Sequence, residues 1–150
     1  MSHPTIVVSA DGTPAAALRR AGEVAAAASG RILLVSAYRP VGASRLRAEQ
    51  RAAQRRGCPE ELLWTINAAQ DVDARLEQAR AQIIDSVPVL TRVHHGGVAE
   101  SVLEAARQEH ADLLMVGTDK QRVMRCGQRR LNARLAQQAT CDVMIVYTNG

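Results

Sequence analysis

Asp11-Gly12-Thr13 puts a carboxylate, a conformationally free glycine and a hydroxyl into three consecutive residues. A carboxylate beside the start of a helix can accept hydrogen bonds from a ligand's amine or ribose hydroxyl. An aspartate before glycine can equally be a turn residue bonded to its own backbone, and the local sequence leaves both readings open. A second stretch opens with Gly117-Thr118-Asp119-Lys120 and runs on to Arg129 and Arg130, with Arg122 and Arg125 between. Cations there suit an anionic ligand and would favour a reactive thiolate at Cys126, which sits among them. Other chemistry has little support. There is no G-x-x-x-x-G-K-[ST] and no G-x-G, so the common phosphate-binding loops are missing. His94 and His95 are adjacent, and neighbours on a strand point to opposite faces, so they cannot chelate one metal together. No H-E-x-x-H, G-x-S-x-G or paired Cys/His arrangement occurs, and Cys141 reads as a small packed hydrophobe.

These residues need elements to position them. The first uncharged run, Thr5 to Ala10, has the composition of a strand covered on both faces. After the Asp11-Gly12 turn, Thr13 is placed to cap a helix and Pro14 to occupy its first position, with Leu18, Ala21, Ala25 and Ala28 on one face and Gly30 as the stop. Ile32 to Val35 is a second strand, ending near Tyr38-Arg39-Pro40. Pro59-Glu60-Glu61 opens a long helix whose apolar stripe includes Val72, Leu76, Ala79 and Ile83. Val87 to Val93 reads as a third strand, placed at an edge by Pro88 and Arg92. A helix through Val98, Val102, Ala105 and Ala106 leads to a strand at Asp112 to Gly117. A helix through Leu131, Leu135 and Ala139 then leads to a last strand, Val143 to Tyr147.

Strand and helix alternate throughout, which predicts a single doubly wound α/β domain: a five-stranded parallel sheet with helices on both faces. In such a sheet ligands sit outside the carboxyl ends of the strands, where the strand order reverses. Both chemical stretches fall at strand ends of that kind.

Composition bounds the rest. The chain has 150 residues, 47% of them hydrophobic, enough for one domain with a core. Eighteen arginines stand against one lysine, Lys120, and there are 26 alanines, a bias that fits a GC-rich bacterial genome. The aromatics are Tyr38, Trp64 and Tyr147 alone, too few to stack single-stranded bases. Three cysteines without C-x-x-C spacing and an N-terminus without a signal pattern set the expectation of a cytoplasmic protein with no membrane attachment.

Three segments carry a family resemblance: Ile6 to Thr13, Gly97 to Ala106, and Ala111 to Thr118, the last followed at a fixed distance by Thr140 to Val146. Together they resemble the universal stress protein family over essentially the whole chain, residues 1–150, apart from a variable basic segment at 42–57. The resemblance implies a flavodoxin- or Rossmann-like sheet of order 3-2-1-4-5, and a homodimer formed through the last strand, Val143 to Tyr147. It also implies a nucleotide site. Many members bind ATP through an Asp after strand one, backbone groups after strand two, and a glycine pattern G-x2-G-x9-G-[ST] after strand four. Asp11 and Gly117 match the first Asp and the first Gly. The second glycine position is Lys120, and the final pair is Arg130 and Leu131, or Arg129 and Arg130 if counted back from Cys141. Long side chains there close the backbone's approach to phosphate, while their charge still suits an anion.

The resulting expectation is a binding and regulatory module that does not hold ATP in the usual family mode. Its candidate ligand residues are Asp11, Gly12, Thr13, Gly117, Thr118, Lys120, Arg129 and Arg130, for a nucleotide or another anionic small molecule, with no cofactor identified and no metal. The alternatives are a nucleotide-binding stress protein with weak hydrolytic activity, and a basic docking module for an acidic partner. The docking reading rests on charge placement. Residues 42–57 carry net +4 and residues 120–134 net +6, so a chain of overall +4 is −6 elsewhere. Such a field attracts anions, although nucleic acid is disfavoured by the missing aromatics and motifs.

Overall fold

The computed structural model describes residues 3–38, 43–57, 72–119 and 126–148, with backbone alone for 38, 43–46, 49, 53, 56, 119 and 126–130. Five strands alternate with helices: β1 (Thr5–Ser9), α1 (Ala15–Ala27), β2 (Arg31–Tyr38), α2 (Ala43–Arg56), α3 (Val72–Ala81), β3 (Val89–His95), α4 (Val98–Gln108), β4 (Leu113–Asp119), α5 (Cys126–Gln138) and β5 (Asp142–Thr148). All pairings are parallel and the order is β3-β2-β1-β4-β5. The order reverses between β1 and β4, which leaves a crevice above their carboxyl ends.

The two-residue alternation of each strand divides the core. Ile6, Val8, Ile32, Leu34 and Met115 face α1 and α3, where Leu18, Ala21, Ala25, Leu76 and Ala79 are buried. Val7, Leu33, Val35, Leu114 and Val116 face α4 and α5, where Val102, Ala105, Ala106 and Leu135 are buried. Uncharged strands follow directly from this arrangement, since both of their faces are covered.

Local boundaries differ from expectation in several places, each for a physical reason. Thr13 does not cap α1: its Oγ1 donates to the Ser9 carbonyl at 2.6 Å, and Pro14 holds the cap position without a side-chain bond. Gly30 is not the left-handed residue that stops α1. That is Ser29, at φ 53°, with Ser29 N–H bonded to Ala26 O and Gly30 N–H bonded to Ala25 O. Glycine is required at 30 for space, because a Cβ there would lie 2.6 Å from the Pro4 carbonyl oxygen. β2 ends at Tyr38, as expected, and β3 continues alongside its last residues, pairing Ser36, Ala37 and Tyr38 with Val93, His94 and His95. β3 is an edge strand, as Pro88 and Arg92 suggest. The helix start expected at Pro59 lies outside the described residues. Ile83, two residues beyond α3, is still buried on its stripe. Among the described residues no helix is long and apolar enough to cross a membrane.

Candidate functional site

β1 delivers the Ser9–Thr13 turn to the crevice, and hydrogen bonds knit that turn tightly. Asp11 N–H donates to Ser9 Oγ at 3.1 Å, the Ser9 hydroxyl donates to Asp11 O at 3.3 Å, and Ala10 N–H donates to Val35 O at 2.8 Å. Gly12 takes a left-handed φ of 72°, a conformation that glycine adopts without the Cβ clash.

The Asp11 carboxylate has a use that neither sequence reading contained. Oδ1 accepts from the Ser36 hydroxyl at 3.0 Å and Oδ2 from the Ala37 N–H at 2.7 Å, so the side chain ties the end of β1 to the end of β2. The Arg75 Nε of α3 stands 3.5 Å from Oδ1 as an ion pair, without a hydrogen bond of its own. Ala37 opens the stretch after strand two, Ala37 to Pro40, whose place at a strand end makes it a candidate in the sequence. Ser36 and Arg75 carried no signal there, because only the fold brings them to Asp11.

Beside this link lies a cavity of about 220 Å³. Ser9, Asp11, Gly12 and Thr13 form its polar edge. Val98 and Val102 of α4, Leu114, Met115, Val116 and Gly117 of β4, and Leu131 and Leu135 of α5 form its walls. Four of the expected site residues thus meet: Asp11, Gly12, Thr13 and Gly117. Thr118 is fully buried in β4 and does not line the cavity. Lys120 lies outside the described residues, and Arg129 and Arg130 are placed by backbone alone, as the fourth and fifth residues of α5. The volume is below the roughly 300 Å³ at which drug-sized pockets begin.

Gly117 owes its place to packing. A Cβ there would come 2.3 Å from Ala17 Cβ and 3.0 Å from Thr13 Cγ2, so only glycine lets the first turn of α1 sit against β4. Across the cavity, Arg134 of α5 pairs with Glu100 of α4 at 3.5 Å, which uses one of the cations in the second basic segment to hold the two walls. Cys141 packs half-buried against the α4–α5 layer. Burial, and then the nearby Asp142 and Asp112 carboxylates, push its thiol up, away from a nucleophilic thiolate. Among the described residues no group of three His, Cys, Asp or Glu side chains could hold a metal.

Residues 3–147 match the sequence model of the Universal stress protein family. The chain belongs to that family. Solved universal stress proteins share the fold. One, described in complex with cAMP, has 24% identity and a TM-score of 0.62 over 99% of this chain and 100% of its own. UspA from Lactobacillus plantarum has 18% identity and a TM-score of 0.65 over 97% and 99%. A universal stress protein from Archaeoglobus fulgidus in complex with dAMP has 14% identity and a TM-score of 0.58 over 97% and 99%. No curated protein sequence matches significantly. In this universal stress protein, the hydroxyl position counted from Gly117 is Leu131, and it contributes an apolar wall to the cavity.

Proposed function

We propose that the chain is a universal-stress-protein-type binding and regulatory module. Its crevice takes the nucleoside part of a small nucleotide and does not grip ATP in the usual family mode. The observation that carries this is the cavity at the β1–β4 reversal, bounded by Asp11, Gly12, Thr13 and Gly117 yet walled by Leu131. Related structures with cAMP and with dAMP support an adenine nucleotide as the ligand class. Counted from Gly117, the family's hydroxyl position falls on Leu131, which removes a donor and desolvates a phosphate. Counted back from Cys141 it falls on Arg130, which has no hydroxyl either, and both disfavour the usual triphosphate mode. Lys120 and Arg129 or Arg130, cationic where the family pattern has glycine or a hydroxyl, are the residues proposed to hold a single phosphate. The described lining offers no nucleophile with a base beside it, so binding, not turnover, is the activity proposed. The working form is a cytoplasmic homodimer joined through Val143 to Tyr147.

Calorimetric titration with AMP, cAMP and Mg-ATP tests the reading. AMP or cAMP should bind at least about tenfold more tightly than Mg-ATP, a difference of about 1.4 kcal/mol. Leu131→Ser should narrow that gap. Mg-ATP binding more tightly than either monophosphate, or no response to any of the three, would overturn it.

A further inference from the structure

None of the described side chains of α2 belongs to either half of the core. Of its described side chains, Arg47, Ala48, Gln50, Arg51, Gln54 and Arg55 are exposed and Ala52 is half-buried. Arg47, Arg51 and Arg55 recur every four residues and so share one side of the helix, about 6 Å apart. Their orientation is partly set: Arg51 Nε donates to the Arg47 carbonyl at 3.5 Å and Arg55 Nε to the Arg51 carbonyl at 3.4 Å. In Arg51 and Arg55 those bonds engage Nε and leave the two terminal nitrogens of the guanidinium outside them. Neither Arg51 nor Arg55 pairs with a carboxylate among the described residues.

Like charges at four-residue spacing oppose helix formation, and α2 has five arginines against the single acid Glu49. An arrangement that works against its own helix is relieved when an anion lies along it. Ala48 and Ala52 run beside the arginines at the same four-residue spacing, and Ala48, Arg51, Gln54 and Arg55 line a shallow groove. Small side chains let another helix come close while arginine stems reach across it, as charged residues do along the flanks of helix–helix seams. A partner helix repeats at the same 6 Å, so carboxylates four residues apart stay in register with all three arginines. Nucleic acid fits less well. The chain has three aromatics, and outside residues 42–57 and 120–134 it carries net −6, which repels an extended polyanion.

We propose that the Arg47–Arg51–Arg55 face of α2 docks an acidic helical segment of a partner protein whose carboxylates recur every fourth residue. The test uses the full chain and a synthetic alanine-rich helical peptide with glutamates at every fourth position. Fluorescence anisotropy at low salt should show saturable binding that weakens as salt is added. A peptide of identical composition with scrambled glutamate spacing should bind at least about fivefold more weakly. Arg47→Gln/Arg51→Gln/Arg55→Gln should weaken binding by about tenfold while leaving the melting temperature and nucleotide titrations unchanged. Arg51→Glu/Arg55→Glu should transfer the preference to a peptide with lysines at the same positions. Equal binding of the scrambled peptide, tighter binding of duplex DNA or anionic vesicles, or an unaffected triple variant would each overturn the proposal. A marked loss of melting temperature in the triple variant would also overturn it, since the arginines would then serve the chain's own fold.

Discussion

The Asp11 carboxylate accepts from Ser36 and Ala37, and those two bonds set the cost of losing it. Asp11→Ala strands the Ala37 N–H, whose desolvation costs about 1–3 kcal/mol, whereas Ser36→Ala removes both the hydroxyl and its need for a partner and should cost about 1 kcal/mol or less. Urea denaturation should therefore rank Asp11→Ala clearly below Ser36→Ala in midpoint; equal midpoints would show that the link between strand ends is energetically idle. Gly117 gives a second case. Gly117→Ala forces its methyl onto Ala17 and should cost about 1–3 kcal/mol. Adding Ala17→Gly should recover part of that loss, so the double-mutant cycle should show favourable coupling between two residues one hundred positions apart in sequence. Strict additivity would mean that β4 and α1 shift apart freely. Asp11 and Gly117 were both legible as special from their sequence context. Their reasons for being special were not, because a carboxylate's partner and a glycine's neighbour are chosen by the fold.

At the scale of elements, the strands and most helices could be read from periodicity because burial dictates it. Every buried hydrophobic residue of β1, β2 and β4 falls into one of two alternating sets, one per helical layer. Ends were less legible. α1 and α4 both stop at a left-handed non-glycine residue, Ser29 at φ 53° and His110 at φ 50°, and both close with the same pair of backbone bonds. Glycine at 30 drew attention away from the residue that makes the turn. Ser29 is exposed, and a non-glycine left-handed residue costs about 1–2 kcal/mol, offset in part by glycine's greater freedom when unfolded. Ser29→Gly should therefore stabilise the chain by about 0.5–1 kcal/mol, a rise of roughly 1–4 °C in melting temperature at this size. An unchanged or lower melting temperature would count against the left-handed assignment. The end of β2 was more legible: Tyr38-Arg39-Pro40 marks it, and the strand runs to Tyr38 with β3 alongside.

For the whole molecule, the sheet has two edges and they differ. β3 lies at one, with Leu90 and Val93 exposed beside Thr91 and Arg92. β5 lies at the other, where Met144 is 39% and Tyr147 58% exposed on a strand without a second neighbour in the monomer. Long apolar edges invite pairing, and the proposed homodimer uses this one. Tyr147→Glu should shift the mass in multi-angle light scattering from dimer toward monomer without altering the circular dichroism of the monomer; a monomeric wild type at micromolar concentration would remove the dimer proposal. The basic field resolves at this scale as well. One cluster lies on α2, whose described arginines are exposed, while the other is partly neutralised where Arg134 meets Glu100.

The linear order of residues determined the layers, the parallel sheet and the two stretches that flank the crevice. Burial on two faces forces a composition and a period that survive in any reading of the chain. Tertiary structure alone decided that Asp11 would be bound by β2, that Gly117 would be shaped by α1, and that Leu131 would wall the cavity. Those are contacts between residues 25 to more than 100 positions apart, or between elements on opposite sides of a crevice. Nothing local encodes them, because each depends on how the twisted sheet stacks its helices and on which side chains then compete for the same few ångströms.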